Sequence, residues 1–257
     1  MTNPIQDVLV IIPAFRNQRQ LDRCIECLKQ QTVAHRLAVF IKDNSEDNIY
    51  YTAAINQGLR HGLGIGQPFR FFLPLNQDCY LNPDAIEQML LFMEANPHAG
   101  IVGPLQLDAD DPARIRWAGS LEAFPAGRHI GGTYTGGLVP TATPWVNGAA
   151  MLIRRETLID TGVMDANMRL LFSDADICFT ARTRGWQLYM VPQAICLHER
   201  GGVSGKENEA FELIKSTDYV YFGRKWLTGQ NYQMLDPGAR AIDINALRQS
   251  FEAADAS

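Results

Sequence analysis

Several things are scarce in this chain of 257 residues, and each scarcity closes off a class of protein. Cysteine is one of them: five thiols, an odd number, at positions 24, 27, 79, 178 and 196 offer no disulfide framework and point to a reducing, cytoplasmic setting. Cys24 and Cys27 have the spacing of a redox or zinc pair, but they fall inside a helical pattern with no second pair downstream, so they read as helix-core thiols. Positive charge is not in excess. With a net charge of −5, bulk attraction to nucleic acid is not expected, and any phosphate binding must be local. Apolar runs such as 8–12 and 149–153 fall far short of the roughly 20 residues that a membrane-spanning helix needs. No basic segment followed by an apolar one opens the sequence, so no signal peptide is expected. Glycine-rich phosphate loops are missing too. Gly62-Leu63-Gly64-Ile65-Gly66-Gln67 lacks the last glycine of a dinucleotide fingerprint and follows a helix; Gly201-Gly202-Val203-Ser204-Gly205-Lys206 has Arg200 and Glu207 where a P-loop needs glycine and Ser or Thr.

What is present is an ordinary globular composition, 46% hydrophobic and 20% charged, in a chain long enough for one large domain. Val8-Leu9-Val10-Ile11-Ile12, closed by Pro13, reads as a strand buried on both faces. Leu21, Cys24, Ile25 and Leu28 then recur at helical spacing, and residues 37–41 form a second buried strand ended by polar Lys42-Asp43-Asn44-Ser45. A helix over 51–61 and an apolar run at 69–73 complete a β-α-β-α-β order, which predicts a parallel sheet with right-handed crossovers. Beyond it the pattern gives a helix over 83–96 capped by Asn82, a strand at 101–105, and an irregular stretch over 108–143 expected to hold short antiparallel strands above a cleft. A strand over 145–153 and a helix stopped by Gly162 follow. Ser173 with Asp176 three residues on has the form of a capping box for a helix ending at Gly185. Two β segments, 187–191 and 193–197, lead to His198. The expected organisation is a main domain over 1–205, a C-terminal helix within 206–230 and a polar tail over 231–257. That helix interleaves Tyr219, Tyr221, Phe222 and Trp226 with Arg224 and Lys225, which allows peripheral contact with a membrane, although packing on the domain is the commoner use.

Pro74-Leu75-Asn76-Gln77-Asp78 lies just past the carboxyl end of a strand, where open α/β sheets bind ligands, and a carboxylate there can hold a divalent cation against a diphosphate. Asn76 and Asp78 can equally be turn residues bonding their own backbone. Asp174 at a helix start and His198 at a strand end are two more polar positions that a parallel sheet can bring to the same edge. Each has its plain alternative: a carboxylate complementing the helix dipole, and a satisfied loop histidine.

Taken together these stretches resemble a family, the inverting glycosyltransferases of family 2 with the GT-A fold. Val8 to Phe15 is similar to the family's opening strand and its turn, and Lys42-Asp43-Asn44-Ser45 to its base-binding loop. Asn76-Gln77-Asp78 resembles the N-x-D form of the metal-binding D-x-D motif. The most specific match is the ordered set from Asn147-Gly148-Ala149-Ala150-Met151-Leu152-Ile153-Arg154-Arg155 through Phe172-Ser173-Asp174-Ala175-Asp176 to Gly185, Pro192 and His198. The resemblance implies an α/β GT-A fold, mainly parallel and Rossmann-like with a small antiparallel portion. It implies Asp174 as general base; Pro13, Phe15, Asp43, Asn76 and Asp78 on a nucleotide-sugar donor; Mg2+ or Mn2+ on Asp78 and His198; and Asn147, Gly148 and Asp176 toward a glycan or lipid-linked acceptor. Two departures are Asn76 for the first carboxylate of D-x-D, as in rhamnosyltransferase-like members, and Ser173 for a usual glutamate. Asn76 leaves fewer anionic metal ligands; with the segment from Gly148 to Arg155 it tilts the donor toward dTDP-rhamnose, and the acceptor implied is a cell-surface polysaccharide or a lipid-linked glycan. A nucleotide-sugar-binding protein without transferase activity is the rival reading. A sugar-nucleotidyltransferase would need glycine after the first strand, where Pro13-Ala14-Phe15-Arg16-Asn17-Gln18 has none.

Overall fold

A computed structural model describes residues 6–64, 69–121, 128–199 and 209–226. The first half alternates as its apolar runs dictate: β1 (Val8–Ala14), α1 (Gln18–Lys29), β2 (Leu37–Asp43), α2 (Tyr50–Gly64) and β3 (Phe71–Pro74). Then come β4 (Cys79–Leu81), α3 (Ala85–Ala95), β5 (Ala99–Asp108), the short strands β6 (Arg114–Trp117), β7 (Ser120–Leu121), β8 (Arg128–His129), β9 (Gly132–Thr133) and β10 (Thr141–Ala142). The chain continues with β11 (Leu152–Arg154), α4 (Arg155–Thr161), α5 (Ser173–Thr183), β12 (Gln187–His198) and α6 (Glu209–Trp226).

The sheet runs β10-β12-β5-β11-β3-β1-β2. β1 is parallel to both β2 and β3, and β5 is parallel to β12, while β11 joins the two halves by antiparallel pairing with β3 and β5. Alternate residues of β1 supply the two cores: Leu9 and Ile11 pack on one face with α2, α4, α5 and α6, and Val8, Val10 and Ile12 on the other with α1 and α3. The expected class, a mostly parallel sheet with helices on both faces and a small antiparallel portion, is the observed one.

Local expectations fare unevenly. β2 is an edge strand rather than a buried one, with Val39 and Ile41 open to solvent and no described strand pairing beyond it. The helix after Pro83 begins at Ala85, with Asp84 and not Asn82 at the cap position. Of residues 145–153 only the end is strand; Ala150 makes one bridge to Leu75, 148–149 form a turn and the rest is irregular. The capping box does not form: Phe172, in the left-handed region, precedes α5, and the Ser173 hydroxyl accepts from Thr52 instead. The two β segments before His198 are one strand, β12, with a bulge at 192–194. All five cysteines are free. α6 packs on the domain through Ile214, Phe222 and Trp226, and no described helix is long and apolar enough to cross a membrane. The glycine run at 65–67, the 201–206 segment and the 231–257 tail lie outside the described residues.

Candidate active site

The edge formed by the ends of β1, β3, β5 and β12 is where the chemistry gathers. β4 pairs antiparallel with the end of β12, setting His198 opposite Cys79, so that Asp78 and His198 meet with Oδ1 and Nε2 3.6 Å apart. Asp78 is buried, and its Oδ1 has no hydrogen-bond partner. Burial raises its pKa to about 6, with Glu199 adding and the Arg116 cation opposing. Burial, then the Arg116 cation, drops His198 to about 4, so its imidazole is neutral at pH 7.

Amide geometry fixes which ring nitrogen of His198 carries the proton. Asn147 Oδ1 accepts the Ala149 N–H at 2.9 Å, so it is the oxygen. Gln106 therefore turns its Nε2 to that oxygen (3.4 Å) and its Oε1 to His198 Nδ1 (3.2 Å). Nδ1 must then be the protonated nitrogen, and Nε2 presents its lone pair toward Asp78. An orphaned carboxylate oxygen beside an imidazole lone pair fits a divalent cation, which takes one or two carboxylates and fills its other positions with phosphate oxygens or water. Cys79 lies within 4.8 Å of both, but complete burial raises its thiol well above the ordinary range, which disfavours the thiolate a metal would need.

Two cavities meet at this pair. The smaller, about 170 Å³, is lined by Pro13, Phe15, Asn44, Tyr51, Asn76 and Asp78 among others, with Leu170 and Phe211 closing it. Gln77 braces it: its side chain accepts the Phe15 N–H (2.8 Å) and donates to the Phe15 carbonyl (3.0 Å), tying the β1–α1 loop to the Asp78 turn. Asp43 is exposed at the end of β2 with its carboxylate turned to Ser45, which holds its pKa low, and it is Asn44 that lines the cavity. Asn44 is buried, and its Oδ1 has no partner. The larger cavity, about 900 Å³, is lined by His198, Gln106 and Asn147 on one side and by Arg114, Arg116, His129 and Gly132 on the other.

Asp174 lines neither cavity; it is held against Gly148, next to Asn147 of the large cavity. Its Oδ2 accepts the Gly148 N–H and its Oδ1 the Ala175 N–H, both at 2.8 Å. Tyr51, from the wall of the small cavity, donates to the Gly148 carbonyl at 2.7 Å. A Cβ at position 148 would lie 2.7 Å from the Tyr51 hydroxyl and 2.9 Å from Asp174 Cβ, so glycine here admits the close approach of both side chains. Desolvation raises Asp174 above the usual carboxylate range despite its two N–H donors and the nearby His129.

Asp176 belongs to a different set. Lys225 and Trp226 of α6 reach its carboxylate at 2.8 Å each, and Lys225 also pairs with Asp165, so Asp176 anchors α6 and is not joined to the acceptor-side residues. α6 reaches the site in another way. Buried Asp218 accepts the N–H groups of Arg169, Leu170 and Leu171 at 3.0, 2.6 and 2.8 Å, holding the loop that carries Leu170 to the small cavity. Gln77, Gln106, Tyr51 and Asp218 carry no sequence signal of their own. An amide or hydroxyl is ordinary at any of these positions until its partners are known.

Residues 52–216 match the family described as "Glycosyltransferase like family 2". No curated protein gives a significant match to the chain. Among solved structures it is similar to GalNAc-T7 with UDP, GalNAc and Mn2+, at a TM-score of 0.58 and 12% identity over 95% of this chain and 55% of that one. It is also similar to the mannosyltransferase PcManGT from Pyrobaculum calidifontis in complex with GDP-Man and Mn2+, at a TM-score of 0.56 and 14% identity over 98% of this chain and 81% of that one. The chain thus spans about half the length of GalNAc-T7, and at such identities the likeness is one of fold: the GT-A arrangement. With the family match covering most of the described residues and the fold in agreement, the chain belongs to the glycosyltransferase family 2-like proteins.

Proposed function

We propose that this chain transfers a sugar from a dTDP- or UDP-activated donor to a hydroxyl of a glycan or lipid-linked acceptor, inverting the anomeric carbon, with Mg2+ or Mn2+ as cofactor. The observation that carries the reading is the buried Asp78 carboxylate, one oxygen unpartnered, beside a neutral His198 at the seam of two cavities. Asp78 and His198 would hold the cation, which when bound supplies a Lewis acid against the charge growing on the leaving diphosphate. Pro13, Phe15, Asn44 and Asn76 receive the nucleoside end, with Asp43 beside them at the mouth. The acceptor hydroxyl enters from the large cavity past Asn147 and Gly148 and gives its proton to Asp174, which its raised pKa makes a stronger base than an exposed aspartate. dTDP-rhamnose is the donor that the N-x-D form favours, with cell-surface polysaccharide as the product.

Purified chain, Mn2+ and a panel of dTDP- and UDP-sugars test this. Metal-dependent donor turnover is expected, falling about 10²- to 10⁴-fold in Asp174→Asn while nucleotide affinity holds. Tight nucleotide binding with no turnover of any donor makes the chain a binding protein instead. Failure to bind any nucleotide in the presence of Mn2+ or Mg2+ sinks both readings.

A further inference from the structure

The large cavity has a charge the chain as a whole does not. Arg114 and Arg116 both line it, whereas the whole chain carries a net charge of −5. Neither arginine is there by default. The pairing of β5 with β6 slips by one residue at Arg116, so that Leu107 faces Ile115 while Gln106 faces Trp117; such bulges re-aim side chains beside sites. Arg116 lies 3.5 Å from Asp108, a fully buried carboxylate that also accepts the N–H groups of Asp110 and Asp111, so that carboxylate is shared and the Arg116 side chain stays 28% exposed. Arg114 is exposed and makes no ion pair among the described residues. Among the described residues Asp111 is the one carboxylate lining the cavity, against two guanidinium groups, and His129 and His198 are its other titratable side chains. The wall is continuous with the catalytic seam, since His198 and Asn147 belong to the same cavity.

We infer that the acceptor is anionic and that Arg114 and Arg116 bind its oxyanion, a uronate carboxylate or a glycosyl phosphate. The inference rests on the transferase reading and narrows it. A guanidinium offers a planar fork of donors matched to carboxylate and phosphate oxygens, and a wall of the 900 Å³ cavity carries two such forks beside the route to Asp174. A neutral glycan could accept hydrogen bonds from these arginines but would leave their charge uncompensated.

The test reads retention of the full chain, with UDP and Mn2+, on surfaces bearing a glucuronate-terminated oligosaccharide, a glycosyl phosphate, or a glucose-terminated oligosaccharide of the same length. At least one anionic surface should retain it about tenfold better than the neutral one, and the preferred surface identifies the source of the oxyanion. Arg116 pairs with buried Asp108, so Arg116→Gln puts the fold at risk, and exposed Arg114→Gln carries the test. It should lower retention about tenfold, and Arg114→Lys should restore part of it. Raising salt from about 0.05 to 0.5 M should weaken it further. Equal retention on the neutral surface, no retention on either anionic surface, or indifference to Arg114→Gln overturns the inference. Binding of UDP with Mn2+ by the wild-type chain reports separately on the transferase reading, so the two can fail independently.

Discussion

The two cavities share one wall and little else. On the small side the described lining is aromatic rings and carboxamides, with Asp78 the one carboxylate; on the large side half of it is arginine, histidine and glycine. The small side is braced by amide hydrogen bonds that tie one loop to another, Gln77 to Phe15 and Asp218 to residues 169–171, which suits a ligand bound the same way each time. The large side is walled by the short strands β6, β8 and β9 with largely solvent-exposed side chains, the construction of a surface that accommodates an extended ligand. One fold thus provides a rigid, nearly uncharged half-site and an open, charged one. Their common wall, Asp78 with His198, should be the place where damage reaches both.

Asp78→Asn should therefore have the largest effect. Mn2+-dependent nucleotide binding should fall by about hundredfold or more, since the cation loses its anionic ligand. The same change should stabilise the metal-free fold. The folded pKa of about 6 lies above the ordinary 3.8, so the unfolded chain ionises first and the folded state loses stability as pH rises from 3.8 to 6, with no cost below 3.8 and the full cost above 6. The variant should then exceed wild type by about 3 kcal/mol at pH 7.5 and match it near pH 3.5 in chemical denaturation, with Mn2+ narrowing the gap only for wild type. A destabilised variant at pH 7.5 would mean that Asp78 is already paired, and the seam would lose its claim.

Gln106→Leu should come next, because Gln106 is the link between the seam and the large cavity. Without the acceptor at Nδ1, His198 is free to place its proton on Nε2, where it blocks coordination. Mn2+ affinity measured by calorimetry should drop about tenfold, and the loss should appear at every pH above the His198 value of about 4. Loss of activity with unchanged Mn2+ affinity would assign Gln106 to packing alone.

Much of this was legible from residue order. β1 and β3 announce themselves as β-branched or aromatic runs, and the family motifs fall on the turns after β1, β2 and β3 and on the start of α5. What could not be read is whatever depends on who else is near. β2 has the same apolar run as β1, but only topology makes it an edge. Ser173 and Asp176 have capping-box spacing, yet Thr52 and α6 compete for their side chains, and long-range partners win. The motif loop put weight on Asp43, whereas the residue turned into the cavity is the next one, because a β-strand alternates its faces and the chain leaves β2 between the two.

That neighbour gives the finest probe of the small half-site. Asn44 is 3% exposed with an amide oxygen that finds no donor, and a buried acceptor left so is usually satisfied by a ligand or a water. If the nucleoside supplies the donor, Asn44→Ala removes one neutral hydrogen bond, about 1 kcal/mol, and should weaken binding roughly fivefold. The contact is with the nucleoside, so uridine and UDP should lose the same factor, whereas Asp78→Asn acts through the diphosphate and should spare uridine. Arg114→Gln, on the other wall, should leave both nucleotides alone. A uridine affinity that ignores Asn44 but follows Arg114 would invert the assignment, putting the nucleoside in the large cavity and the acceptor in the small one.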